Sequence, residues 1–253
     1  MSETTAPNPY AAPVSNLQDA PSGQVPTIAE ALSRRYDFSI GDLISESWQR
    51  VNGTKGIIFG GFIIFYVVML IATTVLGFVF GALGIISETS VTSMMIGQFL
   101  ISILGSALTY PLLAGVNLVG IRRAADQPIS FNDVFKGLGL FVPLLITALL
   151  MNVLVYVGLM LLIIPGLYLS IAYVLAVPLV IERGLSPWQA LETSRKAITQ
   201  HWFKIFGLFI VLGLIIIVSA IPLGIGLIWT LPLAIISMGA LYRTIFGVLP
   251  PAN

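Results

Sequence analysis

The chain has no cysteine. That excludes disulfides, thiolate metal sites and a thiol nucleophile. It has one histidine, His201, so a cluster of imidazoles around a metal is excluded too. Charge is scarce: 9% of the 253 residues are Asp, Glu, Lys or Arg, against about 25% in a soluble domain. With a net charge of +1 and no basic run interleaved with aromatics, nothing points to nucleic acid. There is no Gly-rich phosphate loop, no HExxH and no GxSxG. The N-terminus lacks the basic start and apolar core of a cleavable signal. These absences lead us to expect a protein that is not an enzyme and holds no cofactor or metal.

Apolar residues dominate, at 57%. Uncharged stretches run from Lys55 to Glu88, Glu88 to Arg122, Lys136 to Glu182 and Lys204 to Arg243. A membrane span needs about 20 apolar residues. The first two stretches each hold one span, and the last two each hold a hairpin of two. Charges avoid the membrane middle, where each would cost about 2.5–3.5 kcal/mol.

The 12 Lys and Arg residues then fall on one side. Arg34, Arg35, Arg50 and Lys55 precede span one. Arg122, Arg123 and Lys136 lie between spans two and three. Arg183, Arg195, Lys196 and Lys204 lie between spans four and five, and Arg243 closes span six. The opposite connections hold only Glu88. Basic residues in short loops stay cytoplasmic. The expectation is an all-α, multi-pass membrane protein with six spans and both termini in the cytoplasm.

Residues 1–26 hold five prolines and many small polar residues, and read as a disordered cytoplasmic tail. Residues 27–56 read as cytoplasmic or interfacial helices. Thr27 and Glu30 have capping-box spacing, and Ser39 starts the next helix. Ile40, Leu43, Ile44, Ser47, Trp48 and Val51 share one face of that helix. Glu46 and Arg50 form an i,i+4 pair on the other.

A membrane domain over 57–247 follows, with spans near 57–83, 94–121, 138–157, 161–181, 203–220 and 224–242. The turn between spans three and four lies between Val157 and Gly166, and Pro165-Gly166 fits either the turn or the first turn of span four. Ser130 and Asp133 form another cap signal. Ser186-Pro-Trp-Gln189 is the strongest one, with Ser at N-cap, Pro at N1 and Gln reaching back. It opens an interfacial helix over 186–202. Trp48, Trp188 and Trp202 are the expected interfacial anchors.

The even spans share a motif: Tyr110-Pro111-Leu-Leu, Val177-Pro178-Leu-Val and Leu231-Pro232-Leu-Ala. Each odd span follows a Ser-headed segment, at Ser39, Ser130 and Ser186. The pattern is three hairpin repeats, imperfect because Pro178 stands nearer its arginine than do Pro111 and Pro232. A proline inside a span frees a carbonyl and kinks the helix. Three kinks at similar depth either open a central cavity or only shape the packing, and the sequence leaves both open.

The C-terminal half carries the run Leu-Ile-Ile-Pro165-Gly-Leu-Tyr168-Leu, then Tyr173-Val-Leu-Ala-Val-Pro178-Leu-Val-Ile-Glu182. Ala190-Leu191-Glu-Thr-Ser194 and His201-Trp202-Phe-Lys204 follow. This run resembles a broad group of uncharacterised six-helix bacterial inner-membrane proteins. It is also similar to the membrane domain fused ahead of some glycerophosphodiester phosphodiesterases. The resemblance spans about Ser39 to Gly247. It implies fold and location and brings no catalytic residues. The sequence holds no phosphodiesterase domain, so that activity is not implied.

The spans hold polar residues but no ionisable relay. Ser and Thr there serve packing. Asn117 and Asn152 are costlier to bury and are candidate cavity residues together with Pro111, Pro178 and Pro232, with Gln98 as a further polar side chain. Glu182-Arg183 and Glu192-Arg195-Lys196 are the densest charges. They fit lipid headgroup contact or topology control. The leading reading is a membrane scaffold or accessory protein contacting lipids or partner proteins. The alternative is a passive transporter or channel for a small or lipid-like substrate, through the Pro-bearing even spans.

Overall fold

Helix starts and stops follow the local signals. The computed structural model describes residues 25–86 and 90–251. Most of the N-terminal tail, and Glu88, lie outside the described residues. Thr27 caps α1, Ile28–Ser33, in a full capping box with Glu30. Ser39 caps α2, Ile40–Gln49, by accepting from the Asp42 amide. Ser130 and Asp133 box the start of a 3-10 helix, Phe131–Leu140.

The remaining helices are α3 (Lys55–Ala82), α4 (Val91–Ala124), α5 (Phe141–Leu161), α6 (Ile163–Ala172), α7 (Ala176–Arg183), α8 (Pro187–Thr199), α9 (Trp202–Ala220) and α10 (Leu227–Phe246). No strand occurs among the described residues. Six helical stretches are long and apolar enough to cross a membrane. The turn between α5 and α6 is the single residue Leu162, and Pro165 falls in the first turn of α6.

At Ser186 the expectation fails. Ser186 is the N-cap of α8 and Pro187 takes N1, but the serine side chain makes no capping hydrogen bond. Its extended backbone and the proline ring set the helix start without it.

α4 is the hub. It packs along α3, the 3-10 helix, α5, α7 and α10. Its cytoplasmic-side half, by the topology expected from the sequence, is largely buried from Thr109 to Ile121. Close approach explains how so many neighbours fit. A Cβ at Gly115 would stand 1.9 Å from the Val134 carbonyl oxygen, so only glycine lets the 3-10 helix lie on α4. At the α4–α10 crossing, a Cβ on Gly239 would meet the Gly120 carbonyl oxygen at 2.3 Å.

α3 buries only Ile58 and Gly61. Its outward residues include Tyr66, Leu70, Ile71, Val75 and Phe78, all more than half exposed. A helix apolar all round is a membrane helix. In water this surface would be a large unpaired apolar patch; in lipid it is matched.

Candidate functional site

Span four is one apolar run in the sequence and two helices in the structure. α6 stops at Ala172 and α7 starts at Ala176. They have 10 and 8 residues, about 15 and 12 Å at 1.5 Å per residue. Neither alone crosses a core about 30 Å thick. Pro178 has no N–H to donate, and the break places it in the first turn of α7, where a donor is not needed.

Exposed backbone inside lipid is tolerated only when protein or a cavity receives it. Here α8 receives it. The Leu175 amide donates to Ser194 Oγ at 3.1 Å, and the same hydroxyl donates to the Ala172 carbonyl at 2.7 Å. Ser194 and Leu175 are both fully buried. α8 is therefore more than a surface helix: Ala190, Leu191, Ser194, Ala197 and Ile198 form its buried face.

A cavity of about 250 Å³ lies beside the break, lined by Tyr110, Asn117, Ser170, Tyr173, Val177 and Pro178 among others. It brings together two of the five expected residues, Asn117 and Pro178. The Asn117 side-chain amide has no hydrogen-bond partner among the described residues. Asn152 is elsewhere and employed: its Nδ2 donates to Ser106 Oγ at 2.9 Å, tying α5 to α4. Pro111 and Pro232 are buried inside α4 and α10 and do not line this cavity. The three prolines therefore do not share one cavity, because a helix break replaces a kink at the second. Gln98 lies in a shallow surface depression with Met94, Met95, Phe99 and Ser102.

The cavity contains no charged side chain. Its chemistry is that of an amide, a serine hydroxyl and phenols, which suits water or a small neutral molecule and offers no proton relay.

At the other pole, helix C-termini meet arginines. Arg34 donates to the Thr244 and Ile245 carbonyls at 3.0 and 2.9 Å. Arg243 donates to the Ala124 carbonyl and to Glu46. Arg123 donates to the Arg50 and Asn52 carbonyls, both at 2.9 Å. Cations at these ends answer the free carbonyls and the negative pole of each helix. Arg50 bridges Glu46 and Asp126. Its guanidinium holds the Asp126 carboxyl below its usual range. Lys204 does the same for Asp37. Arg195 brings Glu192 down to about 2.

The sequence left Glu182 and Arg183 open between lipid headgroup contact and topology control. Their side chains turn inward, only 5% and 10% exposed. Glu182 accepts from Tyr242 at 2.5 Å and from the Leu249 amide at 2.6 Å. Arg183 donates to the Pro26 and Phe246 carbonyls. Segments from both ends of the described chain thus close on one ion pair. The dense charge was visible in the sequence; its inward direction was not, since the partners lie 60 or more residues away.

Trp48 and Trp188 are exposed at 50% and 60%, as anchors would be. Trp202 is half-buried, donates to the Tyr168 carbonyl at 3.2 Å and stacks on Phe206. Tyr168 also bonds Thr199 at 2.6 Å, so the end of α8 is pinned to α6. His201 meets Tyr36 edge-on. Among the described residues, no group of three or more His, Asp or Glu could hold a metal ion. No protein-family model, curated protein or solved structure matches this chain.

Proposed function

We propose that the chain is a non-catalytic scaffold or accessory protein of a bacterial inner membrane, contacting lipids and partner proteins. Both termini lie in the cytoplasm in this reading, because the Lys and Arg residues mark that side. The resemblance of the run from Pro165 to Lys204 to uncharacterised inner-membrane proteins supports the location. The three hairpin repeats belong to the same proposal: duplicated units are a common origin of such bundles. α2 and α8 would lie at the inner interface, with Trp48 and Trp188 at headgroup level.

One observation carries the scaffold reading. The basic pole is cross-strapped by partly buried hydrogen bonds and arginine caps that tie α1, α2, α4, α7 and α10 together. Such a pole holds a fixed surface rather than a gate. The test is gentle extraction from native membranes, with the intact mass of the particle recorded. A bound partner protein is the expected result. A particle that holds a small molecule and no partner would favour transport.

A passive transporter or channel is the second reading. The broken span four and its cavity at Asn117 favour it, since interrupted helices form the substrate sites of many transporters.

A further inference from the structure

A second cavity, of about 320 Å³, lies at the basic pole. Arg122, Lys136, Gln127 and Glu182 line it together with apolar Leu118, Leu140 and Ile181. Residues 248–251 form a further wall. That wall is fastened, because Leu249 donates to Glu182 and accepts from Gln127 at 2.8 Å.

The charges here do not balance. Arg122 and Lys136 each reach the same carboxylate oxygen of Asp133, both at 2.7 Å. Asp133 is 4% exposed and its other oxygen accepts from the Ser130 amide. One carboxylate therefore serves two cations. Glu182 cannot serve the second. Its charge is met by Arg183 at 2.9 Å, and its oxygens accept from Tyr242 and Leu249. One positive charge is left over.

Its donors are free as well. Arg122 is only 15% exposed, yet a single N–H of its guanidinium is engaged by a described residue. A guanidinium has five N–H donors in a planar fork. The remaining N–H groups are not sealed from solvent and stay open to a ligand. Lys136 stands at the mouth, 48% exposed, with ammonium donors to spare.

We infer that this cavity binds a phosphate group, held by Arg122 and Lys136. The fork of Arg122 matches two phosphate oxygens, and Lys136 adds a point charge. The apolar wall suits the glycerol and upper acyl carbons of a phospholipid. The volume stands at the lower end of small-molecule sites, about 300–1,000 Å³. The phosphate comes from an anionic lipid headgroup or from free phosphate. The inference does not depend on the scaffold reading, because a transporter would carry the same site.

The experiment uses the full chain, purified and stripped of lipid, titrated with phosphatidylglycerol, phosphatidylcholine or inorganic phosphate. Native mass spectrometry reads retained lipid, and the unfolding midpoint reads phosphate. Preferential retention of phosphatidylglycerol, lowered about fivefold in Lys136→Gln, supports the lipid source. Protection by inorganic phosphate without lipid retention, lost in Lys136→Gln, supports the free ion. Arg122→Gln is expected to lose more in either arm. Should it fail to fold, Lys136→Gln decides alone. Lys196→Gln, an exposed cation paired with Glu192 on α8, is the control and should bind as the parent does. The inference falls if no phosphate compound binds, if Lys136→Gln binds like the parent, or if Lys196→Gln loses as much as Lys136→Gln.

Discussion

The Ser194 hydroxyl accepts a hydrogen bond from the Leu175 amide at 3.1 Å, across the gap between α6 and α7. A side chain on α8 thereby completes the backbone of span four. Ser194→Ala would leave the Leu175 amide and the Ala172 carbonyl without that partner. Each orphaned buried group costs about 1–3 kcal/mol. A clear fall in the thermal midpoint in detergent is expected. Ser170→Ala, which loses only a bond to the Leu167 carbonyl of its own helix, should change it little. Equal melts for the two variants would remove Ser194 from this role.

The two glycine crossings make a second prediction. Gly115→Ala and Gly239→Ala would drive a methyl into backbone oxygen, at 1.9 and 2.3 Å. Overpacking of this kind costs about 1–3 kcal/mol or more. Gly213 has nothing within 4 Å of an added Cβ, so Gly213→Ala should be neutral. Yield and melting of the three variants check this ordering.

The pair between Asp126 and Arg50 predicts a pH dependence. Hydrogen bonding from Arg50 holds the Asp126 carboxyl below its usual 3.8. A lowered folded-state value favours the ionised form in the native protein. Its contribution is full above the unfolded value and is lost as pH falls through the folded one. Asp126 is 68% exposed, so the contribution is small. Asp126→Asn should melt slightly below the parent near neutral pH and converge with it as pH falls through the lowered folded-state value. A constant difference across that range would contradict the assignment.

The absence of cysteine permits a clean topology test. Leu223, in the α9–α10 turn, is 96% exposed, and Lys196 is 56% exposed on α8. With both termini cytoplasmic, a membrane-impermeant maleimide should label Leu223→Cys in intact spheroplasts. Lys196→Cys should react only after lysis. The opposite order would invert the orientation.

Much of the fold could be read along the chain, because it rests on neighbours in sequence. Apolar length marks the six spans, and Thr27, Ser39 and Ser130 cap the helices that they announce. The salt bridge from Glu46 to Arg50 forms at 2.8 Å, as an i,i+4 spacing implies. The site was less legible. Hydropathy is continuous through Tyr173, Val174 and Leu175, so nothing local shows that the helix breaks there. The break is stable because Ser194 lies 19 residues further on. Pro111, Pro178 and Pro232 look alike in sequence. Only Pro178 stands at a break, since only there does a helix from another part of the chain supply the missing bonds. Glu182 and Arg183 read as surface charge because Tyr242, Phe246 and Leu249, which bury them, come much later.

The most direct test of the scaffold reading is the reactivity of a single cysteine at Asn117. This residue lines the cavity beside the break, on the hub helix. A small, charged thiol reagent would be applied from either side to the otherwise cysteine-free protein in membranes. A closed scaffold leaves Asn117→Cys unmodified from both sides while Leu223→Cys reacts. Rapid modification of Asn117→Cys in the folded protein would show an aqueous path to the centre and would overturn the scaffold in favour of passage.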